Sequence, residues 1–176
     1  MTAADPETYT FSGDGAIPNS GLAVLVYHDL GAARDAARAE RAFAANGWLG
    51  AWRDGIFSFH HFHSTAHEVL AIVDGTATVT LGGPAGRSLQ VRRGDVLVLP
   101  AGTGHRNEGS SGDLQVVGAY PGGMSWDVRR GDPAEYDEVR ANIARMPLPD
   151  TDPVHGADGP LRRLWRSGDP PEVTCS

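Results

Sequence analysis

Two spaced groups of glycine, histidine and glutamate constrain this chain more than any other feature of its sequence. The first group has the spacing Gly55-x5-His61-x-His63-x4-Glu68-x6-Gly75. The second group has the spacing Gly94-x5-Pro100-x-Gly102-x2-His105. Imidazole and carboxylate are ligands that borderline divalent metals accept, so the residue types indicate a metal site.

Local backbone geometry predicts how some of these side chains could meet. We predict a strand over residues 55–62, in which residues two apart point to the same face. Phe59, His61 and His63 would then share one face, and His60 would lie on the other. The alternation therefore predicts that His60 packs away from a metal held by its neighbours.

The region from residue 55 to residue 120 alternates between short apolar runs and turn residues. Turns recur about every ten residues, which is typical of a sandwich or barrel of antiparallel strands. The predicted strands are 55–62, 67–73, 76–81, 87–92, 95–99 and 113–120. We predict a hairpin turn at Asp74-Gly75 and further turns at Gly82-Gly83-Pro84 and Arg93-Gly94-Asp95. Gly75 and Gly94 are expected to have a positive φ.

The segments outside this region predict one further strand and two helices. Residues 22–27 are a short apolar run bounded by turn residues, which predicts a strand. Residues 31–46 are rich in Ala, Arg and Glu and predict a surface helix, with Asn46-Gly47 as its C-terminal cap. Residues 133–145 predict a second helix that begins with Asp132 as its N-cap.

The two spaced groups match both halves of the cupin signature, and the chain resembles a member of the cupin superfamily. Further stretches resemble the YjlB-like group of stand-alone bacterial cupins. These stretches are Asp14-Gly15-Ala16-Ile17-Pro18-Asn19, Phe59-His60-His61-Phe62-His63-Ser64-Thr65-Ala66-His67-Glu68, Val117-Gly118-Ala119-Tyr120-Pro121 and Asp152-Pro153-Val154-His155-Gly156. The resemblance therefore covers nearly the whole chain.

The resemblance implies an all-β fold, a small jelly-roll barrel with peripheral N-terminal and C-terminal helices. We expect a single cupin domain over residues 1–176. Its parts would be N-terminal strands and a helix at 1–54, the barrel core with both motifs at 55–120, and a C-terminal helix and extended tail at 121–176.

The resemblance also implies one divalent transition metal, held by His61, His63, Glu68 and His105. Three neutral imidazoles and one carboxylate would leave open positions for water, substrate or oxygen. Such ligands bind Ni, Cu and Zn more tightly than Fe and Mn, so the sequence does not identify which of these five metals is bound. The second motif departs from the family pattern. The usual asparagine four residues after the histidine is Gly109 here, and Asn107 lies two residues early.

Several neighbours of the predicted ligands have more than one interpretation. His67 should face away from the metal, although a hydrogen bond to a ligand carboxylate stays open. Ser64-Thr65-Ala66 is interpreted as a loop that satisfies its own backbone. Tyr120 and Trp126 could line the mouth of a pocket, but aromatic residues at such places are more often core or interface.

The fold that the resemblance implies leaves three classes of function open, because cupins support many reactions. The favoured hypothesis is a metal-dependent oxidoreductase, an Fe(II)-type dioxygenase that acts on a small molecule. A non-redox isomerase or lyase, and a metal-binding or ligand-binding protein without turnover, are the alternatives. The chain contains no lysine for a Schiff base and no Gly-x-Ser-x-Gly elbow of a hydrolase. Arg53, Arg92 and Arg93 could steer an acidic substrate, although such charges are usually only solvated.

Charge and composition set expectations for partners and location. A net charge of -7 argues against nucleic-acid and anionic-membrane partners. No apolar run is long enough to span a membrane, and the N-terminal residues lack the basic and apolar parts of a signal peptide. Cys175 is the only cysteine, so we expect a cytoplasmic location. The apolar run at 22–27 must be covered on both faces, which favours a homodimer.

Overall fold

Two antiparallel β-sheets face each other in the computed structural model, which describes residues 4–166. Within these residues the strands are β1 (Glu7–Tyr9), β2 (Val24–Tyr27), β3 (Trp48–Asp54), β4 (Glu68–Asp74), β5 (Thr76–Leu81), β6 (Arg87–Arg92), β7 (Val96–Leu99), β8 (His105–Ser110) and β9 (Gln115–Pro121). The larger sheet has the order β1-β2-β7-β4-β9-β3, and the smaller sheet has the order β6-β5-β8. The prediction of an all-β jelly-roll fold is confirmed.

Alternating side chains of the strands build the core between the two sheets. In β5, Ala77, Val79 and Leu81 are buried and point towards the larger sheet. Leu70 and Leu97, on β4 and β7, pack against this cluster. Their neighbours Val69 and Val98 belong to a second cluster on the opposite face of the larger sheet. Both faces of that sheet are therefore buried at β4 and β7, as the continuous apolar sequences of these two strands require.

The helices cover the outer face of the larger sheet and one end of the fold. The predicted helix at 31–46 is divided into a 3₁₀ turn, Gly31–Arg34, and helix α1, Ala36–Ala45. The division falls at Asp35, whose extended backbone lets its carboxylate accept a hydrogen bond from Arg38 N at 3.0 Å and cap α1. Asn46 ends α1, as predicted.

The second predicted helix also begins with a 3₁₀ turn. This turn, Pro133–Glu135, leads into helix α2, Tyr136–Ala144, and Asp132 accepts a hydrogen bond from Ala134 N at 2.9 Å. A third helix, α3 (Pro160–Leu164), lies in the part predicted to be an extended tail. The prediction of an extended tail was wrong at α3, where a short helix places Leu161 fully inside the core. The last part of the predicted tail, 167–176, lies outside the described residues.

The strand predicted at 55–62 is absent, and the corresponding strand is β3, which ends at Asp54. Residues 55–62 form a loop that contains two isolated bridges, His61 with His105 and Phe62 with Arg129, and Phe57 O accepts a further hydrogen bond from Asn107 N at 2.9 Å. The sequence gives little sign of β3, because this edge strand exposes most of its side chains and includes small residues. Because β3 has no clear alternation of apolar and polar residues, the alternation of aromatic residues just after it was interpreted as the strand instead.

The predicted hairpin at Asp74-Gly75 was also wrong, because β4 and β5 belong to different sheets. Strand β4 pairs with β7 and β9, whereas β5 pairs with β6 and β8. Asp74-Gly75 is therefore a corner between the sheets. The predicted positive φ is confirmed at Gly75 (72°) and at Gly94 (101°). A side chain on Gly75 would meet Leu114 N at 2.7 Å, so the corner also requires a glycine for space.

Strand β2 is covered on both faces within one chain, since all four of its residues are buried. Its apolar sequence therefore does not require a second subunit, and the homodimer stays a prediction. The assignment of residues 1–176 to one domain likewise stays a prediction. Over residues 4–166, none of the helices has the length and apolar character needed to cross a membrane.

Candidate metal centre

Three buried histidines converge at one end of the space between the sheets. His61, His63 and His105 each offer one ring nitrogen, and these nitrogens lie within 4.8 Å of one another. His61 and His105 are held side by side by two backbone hydrogen bonds, from His61 N to His105 O at 3.2 Å and from His105 N to His61 O at 2.9 Å. Directly opposed residues of such a pair project side chains to the same face, so both rings enter the site.

The tautomers of the three rings are set by the backbone. The Nδ1 atoms of His61 and His105 lie 3.0 Å from the carbonyl oxygens of Phe59 and Thr103, respectively. Nδ1 of His63 donates to the carbonyl oxygen of Asp127. A carbonyl oxygen only accepts, so Nδ1 is the protonated nitrogen in each ring. Each Nε2 is thereby left as the nitrogen that could bind a metal.

Glu68 completes the predicted set of four residues. It is the first residue of β4, and its oxygens lie 3.3 Å from Nε2 of His63 and 3.4 Å from Nε2 of His105. Burial opposes ionisation of the carboxyl group, but hydrogen bonds with His105 and His63 outweigh it and hold the pKa of Glu68 well below its usual range. Burial, together with the nearby His105, lowers the pKa of His61 to about 3 and keeps that imidazole neutral.

Three imidazoles, once each Nε2 is free of its proton, and one ionised carboxylate around a single point would fit a divalent transition metal. The structure thus brings all four predicted residues together, and their role as metal ligands stays a prediction.

A cavity of about 520 Å³ opens onto these four side chains. Its other lining residues are Gly50, Trp52, Arg53, Asp54, Gly55, Ile56, Phe57, Leu70, Tyr120 and Trp126. Tyr120 and Trp126 therefore line the pocket, which was one of the two interpretations that the sequence left open. Tyr120 is buried, whereas Trp126 and Phe57 stand half exposed at the mouth.

Tyr120 lines the same cavity as Glu68, and the negative charge of that carboxylate acts on its phenol. The indole Nε1–H of Trp52 donates to Tyr120 Oη at 2.8 Å, which fixes the phenol. Trp52 packs against Gly118, where a Cβ would come within 2.2 Å of the indole ring. Burial, and then the negative charge of Glu68, raises the pKa of Tyr120. The phenol therefore keeps its proton and can donate it towards Glu68.

Comparison with known proteins identifies the family. The model of the family described as "Cupin domain" matches residues 53–117. The protein YjlB of Bacillus subtilis (strain 168) is 39% identical over 162 residues, which cover 92% of this chain and 97% of the relative. The chain is a YjlB-like cupin. This confirms the resemblance predicted from the two motifs and their flanks.

Solved structures that resemble this cupin are more distant. A sugar 3,4-ketoisomerase, QdtA of Thermoanaerobacterium thermosaccharolyticum, is 12% identical, with a TM-score of 0.39 over 53% of this chain and 74% of that chain. A variant of oxalate decarboxylase OxdC of Bacillus subtilis is 19% identical, with a TM-score of 0.38 over 65% and 29% of the two chains. Acireductone dioxygenase of Bacillus anthracis is 21% identical, with a TM-score of 0.34 over 48% and 56%. Likeness at this level does not identify the reaction.

Asp127 holds the loop of the first cupin motif in place, and no local sequence pattern predicts this role. Its carboxylate accepts hydrogen bonds from the backbone N–H and the hydroxyl group of Ser64, and it pairs with Arg129 Nε at 2.8 Å. Thr65 Oγ1 donates to Ser125 O at 2.9 Å. The interpretation of residues 64–66 as a self-satisfied loop was wrong, because these hydroxyl groups bind a segment about 60 positions away in sequence.

The remaining polar candidates lie outside the cluster of four. His67 accepts a hydrogen bond from Ala101 N at 2.9 Å and donates one to Pro147 O at 3.0 Å. It therefore faces away from Glu68, as alternation predicts, and joins the turn before His105 to the C-terminal segment. Asn107 accepts a hydrogen bond from Gly109 N at 2.9 Å. Asn107, Gly109 and His60 are not among the residues that line the cavity.

We expect metal affinity to fall as the pH decreases. In the metal-free protein, burial lowers the pKa of His63, but its hydrogen bond with Glu68 outweighs this and raises the pKa above the ordinary value. A metal must displace that proton, so the apparent affinity should drop by up to about tenfold per pH unit below the raised pKa. Competition titrations with a chelator between about pH 6 and 8 measure this. An affinity that stays flat over the range would contradict a role for His63 as a ligand.

Replacing Tyr120 by Phe should weaken metal binding by about tenfold, the lower end of the effect of residues that orient ligands. The substitution keeps the ring and removes the hydroxyl group, which acts on Glu68 and also accepts the hydrogen bond from Trp52 Nε1. Tyr27→Phe is the matched control, because the hydroxyl group of Tyr27 binds Asp152, away from the cavity. Chelator competition at fixed pH measures both variants. Equal affinities for Y120F and the unmodified protein would show that the phenol does not orient Glu68.

Proposed function

We propose that this cupin is a metal-dependent enzyme that oxidises a small molecule with dioxygen. One observation carries the proposal. The four candidate ligands lie together at the inner end of a cavity that is open to solvent and large enough for a small substrate. A site that only stabilised the fold would be expected to be closed by protein atoms.

The protein's own side chains hold and shield the reacting centre. His61, His63, His105 and Glu68 would bind the metal, which when present supplies a Lewis acid and, as iron, a redox centre. Asp127 keeps His63 in the orientation that directs Nε2 inwards. Leu70 and the indole ring of Trp52 give the cavity an apolar lining, which would keep water away from the reacting centre once a substrate is bound.

The titratable groups of the cavity favour oxidation over proton-transfer chemistry. An isomerase or lyase generally needs a base with a pKa near neutral beside the substrate. Besides the four candidate ligands, the titratable residues described in the lining are Tyr120, Arg53 and Asp54. Tyr120 stays protonated, and Arg53 forms a two-point ion pair with Glu40. Asp54 is exposed and accepts a hydrogen bond from Gly55 N at 2.8 Å. None of them is placed as a general base.

An oxygen-dependence experiment tests the proposal. The Fe(II)-loaded protein is incubated with a filtered extract of bacterial small molecules, with and without dioxygen, and mass spectrometry follows the compounds that disappear. We expect depletion only with dioxygen, and incorporation of ¹⁸O from labelled gas into a new product. The H63A protein should give neither change. Depletion without dioxygen would overturn oxidation in favour of an isomerase or lyase, and no depletion in either case would favour a binding protein.

A further inference from the structure

Building on the proposed function, we propose that the substrate is a planar aromatic molecule with a single oxygen-bearing group for the metal, rather than a multiply charged acid. Four observations carry this inference. They are two half-exposed rings at the mouth, an aromatic wall formed by Trp126, Tyr120 and Trp52, the lack of an unpaired arginine among the described lining residues, and the size of the cavity.

Two aromatic side chains stand at the mouth, each against a different candidate ligand. Phe57 packs edge-on against His61, with ring centroids 5.0 Å apart and planes at 79°. Trp126 packs edge-on against His63, with centroids 5.8 Å apart and planes at 71°. They are 49% and 50% exposed, although large apolar side chains elsewhere in the described chain are mostly buried. A ligand above the histidines could cover both rings.

The aromatic wall continues from the mouth to the bottom of the cavity. Trp126 is nearly parallel to Tyr120, with planes at 20° and centroids 6.1 Å apart. The hydroxyl group of Tyr120 in turn accepts the hydrogen bond from Trp52. Rings arranged in this way favour offset stacking and edge contacts with another planar ring.

Among the lining residues that the structure describes, none offers a free cation for a second carboxylate. Arg53 is the only arginine among the described lining residues, and its guanidinium group is bound to Glu40 at 2.6 and 3.0 Å. Arg93 donates instead to the carbonyl oxygen of Arg34 at 2.8 Å, and Arg92 lines a different depression. The hypothesis that these three arginines steer an acidic substrate is therefore not supported. With Glu68 and Asp54 also facing the cavity, a second negative charge on the ligand would be repelled.

The volume suits one substituted ring. At about 520 Å³, the cavity lies in the range of sites that bind small organic molecules. The metal and the phenol of Tyr120 supply the few polar contacts that orient such a ligand. The aromatic rings supply the apolar area.

Three simple carboxylates test the inference on the Zn(II)-loaded full-length protein. Acetate, benzoate and succinate each offer a carboxylate to the metal, but benzoate adds a ring and succinate adds a second charge. Tryptophan fluorescence reports binding, because Trp52 and Trp126 line the cavity. We expect benzoate to bind at least about tenfold more tightly than acetate, as burial of a ring predicts, and succinate no more tightly than acetate.

Single substitutions locate the effect. Trp126→Ala should bring the affinity for benzoate to within about threefold of that for acetate, since the ring contact is lost. Leu148→Ala is the matched control, because Leu148 is 38% exposed but does not line this cavity. Equal binding of benzoate and acetate, tightest binding of succinate, or a W126A protein with an unchanged preference would each overturn the aromatic class.

Two further measurements separate this inference from the proposed function. The zinc content of the same sample is determined first, and a protein that binds no zinc would overturn the metal-dependent function. Phenol and cyclohexanol are then compared on the metal-free protein. A preference for phenol that Trp126→Ala removes would support the aromatic site even then, and equal binding of the two would overturn it.

Discussion

Replacing His63 by Ala should remove stoichiometric metal from the purified protein. The substitution deletes one of three converging imidazoles, the one that is bonded both to Glu68 and to the backbone of Asp127. We expect the metal content to fall from about one ion per chain to less than about 0.1, because the substitution removes one of the four candidate ligands and leaves Glu68 without one of its two imidazole partners. Elemental analysis of protein purified without chelators measures the content.

His60→Ala is the matched control for this experiment. His60 lies three positions before His63 but is not part of the group of converging nitrogens. The variant should keep its metal, and circular dichroism should show that both variants are folded. An H63A protein that retains full metal at unchanged affinity would show that the ligand assignment is wrong.

Glu68 and His67 are adjacent, but we expect substitution of Glu68 to weaken metal binding and substitution of His67 to weaken the fold. Glu68→Gln keeps the shape but removes the charge, so metal affinity should fall by more than about 100-fold while the fold remains. His67→Ala should leave metal affinity nearly unchanged and lower the free energy of unfolding by about 2–4 kcal/mol. It leaves a cavity beside Trp165 and removes the partners of Ala101 N and Pro147 O.

Metal titration and chemical denaturation of both variants distinguish these effects. Stability is compared in the metal-free state, because bound metal would itself stabilise the folded form. An H67A protein without metal, beside an E68Q protein that retains it, would reverse the assignment and indicate a site of four histidines.

The convergence of the four residues could be predicted although the strand beneath them could not. Residues 55–62 are a loop, yet His61 and His63 still enter the same site, and His60 remains outside it. Extended backbone alternates its side chains whether or not it is paired in a sheet. The motif spacing therefore predicted the site better than it predicted the secondary structure.

The predictions that were wrong concern features that depend on contacts with residues distant in sequence. The positive φ of Gly75 is a local property and was predicted, but the sheet that β5 joins is decided by pairing with β6 and β8. Strand β8 was missed because its sequence is mainly polar and half of it is exposed. Asp127 follows no motif, and its role becomes visible only where the chain returns to Ser64.

The position of the metal in crystals of the loaded protein tests the central claim most directly. Diffraction data collected at the absorption edge of the metal locate the ion by its anomalous signal. The account predicts one site in each chain, about 2.0–2.3 Å from Nε2 of the three histidines and from a carboxylate oxygen of Glu68. An ordered metal bound elsewhere, or one that contacts His67 in place of Glu68, would contradict it.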